Sequence, residues 1–176
     1  VVCDEFGRHA ISLLGGHEGG ANILAHRVAS KTGCVPIITT GTESMKNYVL
    51  GVGCKKNAAY ESLKELVIEV LNKANVLPDK VRVMTTIDLK ENEPSILKLS
   101  DEFNWPLVIF SGNEINATNF QISHSTFVED SIGVPGVCEP TALMASHFGK
   151  LIVPKTTSNG CAVALVGEPE IMDRRP

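Results

Sequence analysis

Leu13–Asn22 reads L-L-G-G-H-E-G-G-A-N, so Gly15, Gly16, Gly19 and Gly20 frame an adjacent His17–Glu18 pair. An imidazole and a carboxylate side by side can move protons near neutral pH. The flanks suit a strand and a helix. His9–Leu14 alternates and then turns apolar, whereas Ala21–Ser30 sets Ile23, Leu24, Arg27 and Val28 at helical spacing. A glycine loop at such a junction brings backbone N–H groups close to a ligand, and the helix N-terminus adds positive potential. The same glycines would serve equally as a plain strand–helix turn.

Three further polar loops each follow an apolar, strand-like run. They are Gly51-Val52-Gly53-Cys54-Lys55-Lys56, Thr85-Thr86-Ile87-Asp88-Leu89-Lys90 and Phe110-Ser111-Gly112-Asn113-Glu114. In a doubly wound sheet such strand ends share one edge, where ligands bind. Glycine, hydroxyl, lysine and acid groups gathered there suit a ligand bearing several carboxylates or amides. Their other reading is solvated loops and helix caps, with Asp88 or Asn92 capping a helix that starts at Pro94. The cysteines Cys3, Cys34, Cys54, Cys138 and Cys161 are odd in number and scattered, without a C-x-x-C pair. That spacing argues against a zinc ribbon or a disulfide scaffold and for reduced thiols in a cytoplasmic protein.

The elements that must position these loops alternate along the chain. Val1–Cys3 and His9–Leu14 predict a hairpin with Gly7 at its turn, and Pro36–Thr40 a strand after the first helix. Glu43–Asn47 is polar and aperiodic. Strands are expected at Tyr48–Val52, Val81–Thr86 and Leu107–Phe110, and helices at Ala58–Ala74, from Pro94 to near Phe103, and at Glu139–Phe148. Leu63, Leu66, Val67, Val70 and Leu71 mark the buried face of the second helix. Ser111–Ser125 shows no clear period. Leu151–Val153 and Cys161–Val166 read as a hairpin about the turn Thr156–Gly160, and Gly167–Pro176 as a loose tail. The pattern predicts an α/β fold, a layered α/β/α arrangement with a mostly parallel sheet and a C-terminal antiparallel hairpin.

The 176 residues carry a net charge of −4, which argues against nucleic acid as the main partner. No apolar run approaches the roughly 20 residues that cross a bilayer, so no membrane partner is expected. Asp4 and Glu5 stand where the basic region of a signal peptide would be. Neither G-x-G-x-x-G nor a P-loop occurs, which disfavours a generic nucleotide-binding domain.

Several motifs then carry a family resemblance. Ser12–Thr42, with S-L-L-G-G-H-E-G-G-A-N and P-I-I-T-T-G-T, resembles the later part of the N-terminal domain of the CbiG cobalamin-biosynthesis family. G-V-G-C-K-K at Gly51–Lys56, T-I-D-L-K-E-N-E-P at Thr86–Pro94, F-V-E-D-S-I-G-V-P-G-V-C-E-P-T-A-L at Phe127–Leu143 and L-I-V-P-K at Leu151–Lys155 are similar to its C-terminal domain, which is related to CobE. The resemblance divides the chain into 1–43, a junction at 44–47, a second unit at 48–168 and a tail at 169–176. It departs from the family pattern at the junction, where a full CbiG carries a middle region.

What the resemblance implies is cobalt-precorrin-5A hydrolysis in the anaerobic cobalamin pathway, opening a δ-lactone and releasing acetaldehyde to give cobalt-precorrin-5B. That chemistry needs an activated water, donors for the oxyanion and control of a proton. His17 is the expected base and Glu18 its partner. Backbone N–H groups at Gly19, Gly20 and Ala21 would form the oxyanion site, with Asn22 anchoring a carbonyl. Gly15, Gly16, Gly53, Cys54, Asp88 and Ser111 are expected substrate contacts, and Lys55, Lys56, Lys90 and Lys155 the cations for acetate and propionate groups. Cys54 would be either a soft contact to the macrocycle or a small packing residue. No cofactor or protein metal site is expected, because the tetrapyrrole substrate brings its own cobalt. A homodimer is compatible with this reading. The alternative is a CobE-like accessory protein that binds a corrinoid without transforming it.

Overall fold

The computed structural model describes residues 1–14, 20–39, 46–117, 136–146 and 148–169, the side chains of 23, 26, 27, 30 and 31 excepted. Gly15, Gly16, His17, Glu18 and Gly19 lie outside the described residues, as do 40–45 with the first half of the junction, Phe127–Pro135 of the long motif, His124, His147 and the tail beyond 169. Within the description the chain forms two sheets. β1 (Val2–Cys3), β2 (His9–Ser12) and β3 (Val35–Ile38) make the first, with β1 antiparallel and β3 parallel to β2. Gly7 takes φ 65° in the β1–β2 turn, a left-handed conformation that glycine adopts freely. Helix α1 (Ala21–Thr32) connects β2 to β3. It opens on Gly20 at φ 71° and closes on Gly33 at φ 74°, where the Gly33 N–H donates to the Ala29 carbonyl.

The second sheet has the order β6-β5-β4-β8-β7, built from β4 (Tyr48–Cys54), β5 (Val81–Ile87), β6 (Leu107–Phe110), β7 (Lys150–Ser158) and β8 (Cys161–Gly167). β4–β5 and β5–β6 are parallel, whereas β4–β8 and β8–β7 are antiparallel. The sheet is therefore mixed, not mostly parallel. The expected C-terminal antiparallel hairpin is present, adding β8 and then β7 along the side of β4 that β5 leaves open. The hairpin turn is also tighter than expected: β7 runs to Ser158, leaving Asn159 and Gly160 in left-handed conformation at φ 49° and φ 78°.

The central strands alternate their burial partners. Leu50 and Val52 of β4 pack with Leu63, Leu66, Val67, Val70 and Leu71 of α2 (Tyr60–Lys73), and with Ile96 and Leu99 of α3 (Pro94–Phe103). Val49, on the other face, packs with Val83, Val166 and Ala142 of α5 (Cys138–Ala145). α2 forms because its apolar residues recur at i, i+3, i+4, i+7 and i+8, with Glu61 in the first turn and Lys73 in the last suiting the helix dipole. Pro94 opens α3, but its N-cap is Glu93, without a side-chain cap, rather than Asp88 or Asn92. The helix stops at Asn104 (φ 53°), and Trp105 stacks on Phe103 with ring centroids 4.4 Å apart.

α4 (Gly112–Asn116) is a short helix within a segment that reads as aperiodic. Its signal was a capping box. The Ser111 hydroxyl accepts from the Glu114 N–H, and the Glu114 carboxylate accepts from the Ser111 N–H. Gly167 and Glu168, expected in a loose tail, are instead part of the fold. Gly167 ends β8, and Glu168 pairs with Arg82 through two parallel contacts of 3.1 and 2.6 Å, while Arg82 also donates to the Ala145 carbonyl. Both side chains are nearly enclosed, at 12% and 8% exposure.

The two sheets meet where α1 lies against the edge strand β6. A cavity of about 390 Å³ there is bordered by Ala29, Val35, Phe110 and Met144, and by none of the predicted site residues.

Candidate functional site

The C-terminal ends of β4 and β5 bring the second-unit candidates to one sheet edge. β4 carries Gly51 and Gly53 before Cys54, and Gly51 has a packing reason. A Cβ on Gly51 would lie 1.7 Å from the Cys138 carbonyl oxygen, so the start of α5 reaches β4 only because Gly51 lacks one. At Gly53 a Cβ would meet Val137 at 3.9 Å, an ordinary contact. Gly51 thus seats a helix against a strand.

Cys54 ends β4, half-buried on the α2 side, with its Sγ 3.7 Å from the Ser95 hydroxyl. Burial pushes its thiol pKa up, the Ser95 contact opposing, so the thiol is protonated at neutral pH. Lys55 and Lys56 follow as exposed residues, and the Lys55 N–H donates to the Gly160 carbonyl at 2.8 Å. Asn57 then turns at φ 58°, its N–H held by the Glu93 carboxylate at 2.7 Å. Glu93 also lies 4.0 Å from the Lys90 ammonium. One buried carboxylate therefore joins the lysine loop after β4 to the lysine turn after β5. Asp88 is exposed, and its carboxylate accepts from the Leu89 N–H at 2.7 Å.

On the opposite face of the sheet, Glu139 of α5 is 2% exposed and accepts from the Lys155 N–H at 2.8 Å. That N–H is available because β7 is irregular between Val153 and Thr156. Cys138 beside it is fully enclosed, with its pKa pushed up by burial to about 12. Thr141 and Thr85 share a 3.0 Å hydrogen bond beneath, tying α5 to β5.

Cys54, Lys55, Lys56, Asp88 and Lys90 thus occupy the strand ends and turns along one edge of the second sheet, whereas Lys155 lies within β7, level with Gly51 of β4. Ser111 ends β6 on that edge, where its hydroxyl serves the α4 cap. Asn22 lies elsewhere, in the first unit, buried at 2% exposure and accepting from the Ser12 hydroxyl at 2.6 Å. Gly20 forms the start of α1. Sequence reading missed Glu93 and Glu139. Both sit inside quoted motifs, E-N-E-P and V-C-E-P, and the signal was an acid directly before a proline at a helix start.

Family models extend this picture across the chain. Residues 48–166 match the model for cobalamin synthesis G C-terminus, and residues 1–43 match the model for cobalamin synthesis G N-terminal. The chain is similar to cobalt-precorrin-5A hydrolase of Priestia megaterium, 24% identical over 68% of this chain and 32% of that protein. It is also similar to cobalt-precorrin-5A hydrolase of Salmonella typhimurium (strain LT2), 21% identical over 94% of this chain and 73% of that protein. The chain therefore spans about a third of one relative's length and about three-quarters of the other's. The second alignment runs over 257 positions, more than the 176 residues here, so that relative carries inserted segments. The fold is shared with the crystal structure of CobE, a protein from the cobalamin (vitamin B12) biosynthetic pathway, at TM-score 0.64 and 19% identity, covering 70% of this chain and 91% of CobE. With a C-terminal model matched over most of its length and an N-terminal model matched before it, this chain belongs to the CbiG family of cobalamin-synthesis proteins.

Proposed function

We propose that this chain acts in anaerobic cobalamin biosynthesis as a cobalt-precorrin-5A hydrolase, opening the δ-lactone and releasing acetaldehyde. The observation that carries the reading is the lysine-bearing edge of the second sheet. Lys55, Lys56 and Lys90 stand just past strand ends where Glu93 holds the backbone, and Lys155 stands within β7, its N–H held by Glu139. A macrocycle rimmed by acetates and propionates needs spaced cations on a fixed frame, and this edge offers them. The names of the two hydrolase relatives point the same way.

In this proposal His17 is the general base and Glu18 orients it or serves as a second proton carrier. Gly19, Gly20 and Ala21 offer N–H groups to the oxyanion, with Gly15 and Gly16 shaping the loop. Cobalt arrives chelated by the substrate, so the protein's task is binding, orientation and proton transfer. Helices on both faces of the second sheet, in a layered α/β/α arrangement, would leave that edge open to a wide ligand.

The test is to titrate a cobalt-precorrin by absorbance while assaying acetaldehyde. Binding with acetaldehyde release, lost in His17→Ala with binding retained, is the expected result. Full release from His17→Ala would remove His17 from the mechanism. A second reading is favoured by the 91% coverage of CobE: a corrinoid-binding accessory protein. Binding without acetaldehyde would establish that reading instead, and absence of both would end the corrin assignment.

A further inference from the structure

Cys54 and Cys161 are direct cross-strand partners in the β4–β8 ladder. Which type of pair they form follows from the next rung. The Lys55 N–H donates to the Gly160 carbonyl at 2.8 Å, which makes 55–160 a hydrogen-bonded pair. Because pair types alternate along an antiparallel ladder, Cys54–Cys161 is a non-hydrogen-bonded pair. There the Cα atoms sit about 4.5 Å apart and side chains on the same face are closest. A disulfide spans Cα separations of about 4.4–6.8 Å. Neither strand has to move far for the two sulfurs to meet.

The surroundings divide the two thiols into different roles. Cys54 is half-buried at the strand end, its Sγ beside the Ser95 hydroxyl, with the charges of Glu93 and Lys90 acting on it in opposite directions. Cys161 is 1% exposed, and burial pushes its thiol pKa up, with Cys54 across the ladder acting in the same direction. Cys54 is thus the thiol an outside reagent reaches, and Cys161 the one waiting behind it. Cys34 is taken up elsewhere, accepting from the Thr32 hydroxyl, and Cys138 is enclosed at the start of α5.

We propose that Cys54 and Cys161 form a reversible disulfide, a redox modification site that staples β4 to β8 at the lysine-bearing edge. The oxidant is a low-molecular-weight disulfide of the glutathione class. The Cys54 thiolate, after losing its proton to water, attacks one sulfur of the oxidant, giving a mixed disulfide and one released thiol. The Cys161 thiolate then attacks the Cys54 sulfur, forming the internal disulfide and releasing the second thiol. Two protein thiols are oxidised and one external disulfide is reduced to two thiols. The bond fixes the spacing between the loop Lys55–Asn57 and the turn Asn159–Gly160, against which the Lys55 stem already packs.

The experiment equilibrates the native chain in glutathione and glutathione disulfide mixtures, blocks the remaining thiols and maps disulfides by mass spectrometry without reduction. The expected product is one linked peptide pair, Cys54 with Cys161, that grows with the oxidised fraction and disappears on adding dithiothreitol. In Cys161→Ala the glutathione adduct on Cys54 should accumulate instead, at least tenfold above wild type. Two free thiols at the most oxidising mixture, or a Cys54 adduct that persists in wild type, would overturn the proposal. Because the wild-type map is decisive alone, a poorly folding variant does not weaken the test.

Discussion

The two sheets of this molecule bury different things. The second encloses a continuous core of large side chains, among them Leu50, Leu63, Leu66, Leu71, Met84, Ile96, Leu99 and Leu165. In the first, the core among the described residues is Ala10, Ala29 and Cys34, with Val28 packed against it. Its large apolar groups face outward instead: Phe6 is 70% and Leu14 86% exposed. Burying a large aliphatic side chain contributes about 1.5–3 kcal/mol, and an alanine contributes far less. The second unit therefore has its own source of stability. The first relies on short hydrogen bonds, such as Ser12 to Asn22 and the Thr39 hydroxyl to the Ser12 carbonyl at 2.6 Å, and on the contact of α1 with β6.

The strongest test of this contrast is a pair of truncations. Leu66→Ala should lower stability by about 2–5 kcal/mol in urea unfolding, as for a fully enclosed leucine. Ala29→Gly in α1 should cost about 1 kcal/mol, chiefly in helix propensity. Equal losses would break the comparison. Glu168→Ala comes next, expected to cost about 2–4 kcal/mol because Arg82 is left enclosed without its partner. A loss below about 0.5 kcal/mol would mean the pair behaves as a surface bridge.

The smallest expected effect compares one carboxyl from each unit. Asp4 accepts from the His9 and Arg8 N–H groups, and these hold its pKa below the ordinary value. Glu102 is held low by Lys64 at 2.5 Å and then by the Tyr60 hydroxyl. Each folded pKa lies below its unfolded one. The stabilisation is therefore complete above an unfolded pKa of about 4 and fades as pH falls through the folded value. Both groups are exposed, so the change in stability should be small even where carbon-detected NMR titration shows both shifts clearly. Ordinary titration of either would remove that group from the acid response.

Legibility in the sequence followed the same divide. α2, α3 and β4–β6 were visible because period and punctuation agree: five apolar positions on one helix face, Pro94 at a helix start, Trp105-Pro106 before β6. The mixed sheet was not visible, because the position of β8 is set by pairing between residues such as Val49 and Val166, far apart in the chain. β6 formed where an apolar run predicts a strand, and its four residues are only partly buried, since it lies at the sheet edge. At the site, lysines and glycines were legible as residue types. The roles of Glu93 and Glu139 were not, because each is defined by a backbone N–H brought from another element.

The central place of β4 also sets an order of events. One neighbour, β5, arrives soon after it in the chain, with Val49 opposite Val83, but the other is β8, with Val49 opposite Val166. As the chain is made from its N-terminus, the parallel half of the sheet can pair while the other edge of β4 still waits. Contacts of such long sequence separation slow folding and leave an open strand edge exposed meanwhile. The last strand made is the one that closes the middle of the sheet, so a ribosome stalled before Cys161 would present β4 as a bare edge to every neighbouring chain.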